Sequence, residues 1–367
     1  MDLSTSTYLG LAAVLLLMAA LTWVLLRVIP RTRGKLRAET AHHDDAGRRA
    51  VASLLQGWGP AGVAAVALGL LAYLAATASV IGWRVSQTTA ERGDGALAQL
   101  AQTLAPVAAA CVALGTLAWF AARRRPGPNA APVSVASAGL RPRGALSFGP
   151  RWALAIPALT ALVLGAWLVV TGLFSSRDPS GRFTQLTVDR HTAADDPAVG
   201  YVPPLTPSQV SVDFPGWYYT LPVIAAAAFL VGLAALLLRR LAQAPRPLDP
   251  GLHRVDDLAR TLKAKLVATL AGAGLLGTLA SIAAATGGAL ATVAGDFRLA
   301  GTGVEFFYHE AMLSGYWIYL GAVLLRLLAL VLLVIAAGAA LELAAARQAA
   351  VAVVLGETPR GRNAHPA

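Results

Sequence analysis

Residues 316–341, YWIYLGAVLLRLLALVLLVIAAGAAL, carry one charge, Arg326, in an otherwise apolar run that begins with Tyr316, Trp317 and Tyr319. At about 1.5 Å of rise per residue, a helix of that length exceeds the ~30 Å hydrocarbon core of a bilayer. In lipid, backbone N–H and C=O groups have only each other as partners, so helix is the one workable conformation for such a run. Six more lie upstream, near 7–29, 59–82, 104–122, 152–174, 218–238 and 266–292. The fold class this predicts is all-α: one integral membrane domain over 1–367, a polytopic transmembrane bundle of seven spans.

Composition agrees. Apolar residues make up 56% of the chain and charged residues 13%, about half the charged share of a soluble domain. The first residues, MDLSTST, lack a basic n-region, and no small-residue cleavage site follows the run 7–29, so it reads as a retained span. The single cysteine, Cys111, falls in the third run, which leaves no intramolecular disulfide to form.

Arginine and lysine sort by link. Of the 30, 23 lie at Arg27 and in links 30–58, 123–151 and 239–265 or in the tail 347–367. Six lie on the alternate side: Arg84, Arg92, Arg177, Arg182, Arg190 and Arg298. The positive-inside bias then predicts the N-terminus outside and the C-terminus in the cytoplasm of a bacterial plasma membrane. The net charge of +11 follows from this sorting and suits contact with anionic headgroups. Bases scattered over four flanking segments disfavour nucleic acid as a partner.

The links differ in character. Residues 44–56 form an amphipathic stretch with Val51, Leu54 and Leu55 on one side, suited to the inner leaflet. The preceding His42-His43-Asp44-Asp45 reads as solvated and helix-capping, because adjacent residues on a helix point about 100° apart and do not converge on one metal. Segment 126–150 is an irregular linker rich in Pro, Gly, Ala and Ser. In the extracytoplasmic loop 175–217, Phe183–Val188 and Gln209–Phe214 partly alternate apolar and polar residues, the pattern of a small β-hairpin. The loop ends in Phe214-Pro215-Gly216-Trp217-Tyr218-Tyr219, and Pro222 is placed in the first turn of the next helix.

Segment 249–265 reads as a helix capped by Asp249, with Pro250 at its first position and Leu252, Val255, Leu258 or Ala259, Leu262 and Leu266 at helical spacing. It is expected to lie along the inner leaflet and then turn into the sixth span. Arg254, Arg260, Lys263 and Lys265 are expected to face headgroups or a cytosolic partner. Within the sixth span, Thr269, Ala273, Gly277, Ser281 and Ala285 form a small-residue stripe that admits a close helix. Thr286-Gly287-Gly288 then reads as loosening or ending it. Trp58, Trp83, Trp217, Tyr218, Trp317 and Tyr319 stand at run ends as interfacial anchors.

Arg326 is the first candidate for polar function. A guanidinium near the bilayer centre costs at least about 2.5–3.5 kcal/mol on insertion scales, so it should face the bundle, a water cavity or a partner group. No acid lies deep in another run, which leaves Thr278, Ser281 or Thr286, backbone carbonyls, another subunit or a substrate anion. Glu305 and His309, four apart, are an ion pair or a weak cation site. Asp189, His191, Asp195 and Asp196 are too loosely spaced for a metal. The last run has no lysine for a retinal Schiff base, and no histidine pair, phosphate loop or intramembrane carboxylate pair appears. Enzyme and proton-coupled carrier readings lose weight accordingly, and no cofactor or metal site is expected.

The Ala-rich, Arg-over-Lys composition and the FPGWYY motif at 214–219 resemble uncharacterised polytopic membrane proteins of high-GC actinobacteria. The resemblance implies a layout and no activity. The function expected is a non-enzymatic permease-like or accessory subunit of a transport assembly. Its partners would be the lipid bilayer, a membrane subunit, and a cytosolic ATPase or regulator bound through 44–56 and 249–265. The alternative is a sensor or receptor-like protein that recognises a ligand through 175–217.

Overall fold

Six of the seven apolar runs lie within the described residues and form helices, and one of these is enclosed by the others. The computed structural model describes residues 34–56, 58–86, 95–122, 151–190, 208–244, 247, 249–295 and 309–354. Two short helices come first, α1 (Lys35–Ala41) and α2 (Asp45–Leu55), followed by α3 (Trp58–Ser86), α4 (Gly95–Ala122) and α5 (Arg151–Leu173). Strands β1 (Ser176–Arg177), β2 (Phe183–Arg190) and β3 (Ser208–Asp213) precede α6 (Trp217–Gln243). A 3₁₀ turn, Pro250–Leu252, leads into α7 (His253–Gly295), and α8 (His309–Val354) follows. Among the described residues, six helices are long and apolar enough to cross a membrane, which is consistent with a multi-pass membrane protein. The run 7–29 lies outside the described residues.

Helix α7 is the axis. Along its apolar stretch 94% of residues are buried, against 22% for α5 and 28% for α6 and for α8. Helix α8 packs along α7, with α4, α5 and α6 on its other sides, and α3 fits between α4 and α8. The outer helices turn large apolar side chains outward, among them Leu162, Leu173, Phe229 and Trp317. That distribution suits a lipid surround and would be costly in water.

Two expectations about α7 are overturned. Segment 253–265 does not lie flat and turn; it runs straight into the sixth span as one helix of 43 residues, about 65 Å long. No proline or glycine interrupts 252–271, and its inward charges find partners inside the protein. Nor does Thr286-Gly287-Gly288 end the helix. A Cβ on Gly287 would stand 2.6 Å from the Gly315 carbonyl oxygen and 2.8 Å from the Tyr319 nitrogen; one on Gly315 would stand 2.7 Å from the Ala291 nitrogen. The glycines are therefore where α7 and α8 cross in backbone contact. Pro222 is also displaced from expectation: α6 starts at Trp217, so the proline falls in the second turn.

Beyond α5 the chain forms a three-stranded antiparallel sheet in the order β1-β2-β3. Strands β2 and β3 pair from Gln185↔Asp213 to Arg190↔Ser208, and β1 adds at Ser176 and Arg177. The β2–β3 connection, 191–207, lies outside the described residues. Between β1 and β2, Asp178-Pro179-Ser180-Gly181 makes a tight turn closed by the Gly181 N–H on the Asp178 carbonyl at 2.8 Å, with Gly181 at φ +81°. The opposite end holds α1, α2, the start of α7 and the end of α8. Asp44 caps α2, its carboxylate accepting the Gly47 N–H at 2.8 Å, and Val51 and Leu55 are fully buried.

Because Gly287 faces backbone, Gly287→Leu forces the helices apart and should cost about 1–3 kcal/mol or more. Gly232→Leu, with nothing within 4 Å of its added Cβ, should leave stability unchanged. Thermal unfolding of the two detergent-purified variants, followed by tryptophan fluorescence, separates these outcomes.

Candidate functional site

Ionisable side chains are scarce in this bundle, and four of them are buried together at the end that holds α1 and α2. Asp256, Arg260 and Lys263 stand at i, i+4 and i+7, one face of α7, and Glu342 comes from α8. Their exposures are 5%, 3%, 6% and 7%. Asp256 pairs with Arg260 on the same helix, and Arg260, Lys263 and Glu342 each meet the end of another helix. The Arg260 Nε donates to Asp256 Oδ2 at 2.8 Å, while its Nη1 donates to the carbonyls of Leu241 and Ala244, at 3.0 and 2.9 Å, where α6 ends. The Lys263 Nζ donates to the Leu54 carbonyl in the last turn of α2 at 3.0 Å and lies 5.4 Å from the centre of the Trp58 ring. Glu342 Oε1 accepts the Leu36 N–H in the first turn of α1 at 3.3 Å.

The electrostatic logic is uniform. Carbonyls left over at a helix C-terminus carry partial negative charge, and N–H groups left over at an N-terminus carry partial positive charge. Cations meet the former and an anion meets the latter. A second tier lies closer to solvent: Arg254 pairs with Glu39 at 3.4 Å, and the Lys265 ammonium sits 5.8 Å from the Trp152 ring centre. This corrects the expectation that Arg260 and Lys263 face headgroups or a partner. The signal was present, since Asp256 and Arg260 are oppositely charged at i, i+4 beside the apolar positions Val255 and Ala259.

At the other end, Asp178 organises the turn into the sheet. Its carboxylate accepts the Ser180 and Arg182 N–H groups at 2.9 and 2.8 Å, the Arg182 Nε at 3.0 Å and the Thr184 hydroxyl at 3.0 Å. Burial alone would push this carboxyl up, but the donors from Arg182 and Thr184 outweigh it and hold the group below the usual carboxylate range. Arg182 also lies over the Tyr218 ring, 5.5 Å from its centre. Across the strands, Ser176, Thr187 and Ser211 join in a row of hydroxyls at 2.7 and 3.2 Å. Among the described residues, no three His, Cys, Asp or Glu side chains come together as a metal site would require.

Arg326 is half-buried and interacts within the protein. It shares a face of α8 with Leu333 and Ala340, which approach α3 at Gly69 and Gly62. That face points to α3, whose side chains at the level of Arg326 lie outside the described residues. Of the partners expected for it, Thr278, Ser281 and Thr286 donate their hydroxyls to their own helix four residues back, at 3.0, 3.0 and 2.9 Å. Glu305 lies outside the described residues, as do His191, Asp195 and Asp196; His309 starts α8, its side chain outside the description.

In the stripe, Thr269, Ala273 and Gly277 are buried and Ser281 and Ala285 half-buried. Because α7 is enclosed all round, the stripe is one of several contact faces. Trp58 is buried beneath Lys263, Trp217 packs its ring on Gly172, Tyr218 and Tyr319 are half-buried, and Trp317 is 68% exposed. Trp83 belongs to α3 with its side chain outside the description. A cavity of about 10 Å³ between α3, α4, α7 and α8, lined by Gly69, Pro106, Ala110, Ala273 and Leu333 among others, has room for about one water. Compared with known protein families, curated proteins and solved structures, the chain matches none.

Removing one partner of the buried pair strands the other. Arg260→Met should destabilise the purified protein by about 3–5 kcal/mol. Arg254→Met, in the exposed pair, should cost less than about 1 kcal/mol. Equal losses in a thermal melt would contradict the assignment of Arg260 as the internal tie.

Proposed function

We propose that the protein is a seven-span plasma-membrane protein, with 7–29 as its first span and the N-terminus outside, acting as a non-enzymatic permease-like or accessory subunit of a transport assembly. The observation that carries this reading is the enclosure of α7. With 94% of its apolar stretch buried, α7 is packed against its neighbours, as expected of a part that works through its surfaces. The sorting of 23 of 30 bases supports a cytoplasmic position for the end built from α1, α2, α7 and α8. There α2 and the start of α7 turn their apolar faces inward, leaving Arg49, Ser53 and Arg254 on the outer surface. That polar face is where a cytosolic ATPase or regulator would bind.

A sensor reading has one observation in its favour: 176–190 and 208–213 build a sheet fastened by Asp178 and seated on the start of α6. Replacing 183–212 with a short linker should abolish a sensor's response while leaving an accessory subunit in its complex. For the leading reading, a tagged protein taken up in mild detergent should retain a stoichiometric partner, and Arg49→Glu with Arg254→Glu should release a cytosolic one. Recovery of the chain alone would count against it.

Orientation is tested separately in a Cys111→Ala background. Ser180→Cys should react with a membrane-impermeant maleimide in intact cells, and Ser53→Cys only after permeabilisation. Both positions are exposed, so the reverse pattern would invert the topology.

A further inference from the structure

Helix α8 has an outward face that the described helices leave uncovered. Glu342, Ile335, Leu328 and Gly321 recur every seven residues, which keeps them near one line along the helix. At the Glu342 end this line is covered by α1, through the Leu36 N–H on the carboxylate. Farther along, Leu328 is 44% exposed, Leu324 beside it 40%, and an added Cβ on Gly321 would meet nothing within 4 Å. The described chain starts at Gly34, immediately before α1.

We propose that this face of α8 is the seat of the apolar run 7–29. The inference rests on reading that run as the first span. Four residues, 30–33, separate its end from Gly34, and at about 3.3–3.6 Å per extended residue they reach at most ~18 Å from the start of α1. Helix α1 packs chiefly on α8, with lesser contact to α7 and α2, while α3 occupies the opposite side of α8. Ile335 is half-buried against the core, so the first outward surface along this line is the face of Leu328, Leu324 and Gly321. Between helices in lipid, attraction comes from close packing rather than from escape from water, and an open glycine such as Gly321 is where a second helix can approach. A span held there would run parallel to α8, since both go from outside to cytoplasm in the proposed topology.

The test uses the full chain in membranes, with Cys111→Ala and a protease site inserted in the 126–150 link. Leu328→Cys, at the midpoint of its run, is paired in turn with Leu16→Cys, Leu17→Cys, Met18→Cys and Ala19→Cys, one helical turn at the midpoint of 7–29. After oxidation and cleavage, at least one pair should hold the two fragments together in most molecules. If Leu328→Cys instead links two whole chains and no pair holds the fragments, a second copy covers this face and the proposal falls. If neither linkage forms while Ser4→Cys is labelled from outside, the run spans the membrane but sits elsewhere, which overturns the seat and spares the topology. Labelling of Ser4→Cys only after permeabilisation overturns both.

Discussion

A helix enclosed along its apolar stretch has no water there to send its polar groups to, and α7 resolves this by two means. Along its middle, Thr269, Thr278, Ser281 and Thr286 donate their hydroxyls to carbonyls of the same helix, so hydrogen-bonding capacity is met without a partner helix. At its start the groups are ionic, and self-satisfaction is not available to them. Arg260 and Lys263 are neutralised by Asp256 and by the ends of α6 and α2. Those ends had unsatisfied carbonyls of their own. Two short helices, α1 and α2, and three long ones, α6, α7 and α8, are thereby fixed to one another by the need to bury charge.

The sheet end meets the same constraint by a different route. There the helices approach too closely for side chains: Gly287 on Gly315, and Gly172 under the Trp217 ring. Backbone contact in lipid is gained through dispersion, which requires that nothing intervene. The chain between α5 and α6 is longer than a tight link, and it satisfies its own backbone as a sheet, with Asp178 collecting four donors at the turn. Buried charge at one end and absent side chains at the other hold the same pair of long helices in register.

The sequence makes the apolar helices legible, because length against bilayer thickness is a local property of each run. It also discloses the caps at Asp44 and Asp249, where the acid precedes its helix by one step. What it concealed was non-local. Within 254–265 only the i, i+4 pair of Asp256 and Arg260 hints at burial; the carbonyls that receive Arg260 belong to α6 and show in no local window. Gly287-Gly288 looks like a helix end because the residue that explains it, Gly315, is on α8. The turn at 178–181 was readable, with proline second and glycine fourth, but β1 is two residues long and shows no period. Arg326 stood out by charge, yet sequence spacing on one helix does not say which neighbour its face meets; Leu333 and Ala340, on that face, point it to α3.

The distribution of proline adds a mechanical consequence. Pro106, Pro157 and Pro222 interrupt the hydrogen-bond ladders of α4, α5 and α6, while α7 and α8 contain none. Kinks concentrate at such residues, so the proline positions where a ladder can bend lie on three of the four helices around the central pair. A proline-free helix of 43 residues, about 65 Å long, crosses a ~30 Å hydrocarbon layer with length to spare. It reaches from the Gly315 crossing near the sheet to the ionic ties on α2 and α6. Any axial shift of α7 at one end must therefore appear at the other, where Arg260 and Lys263 would draw the ends of α6 and α2 with it.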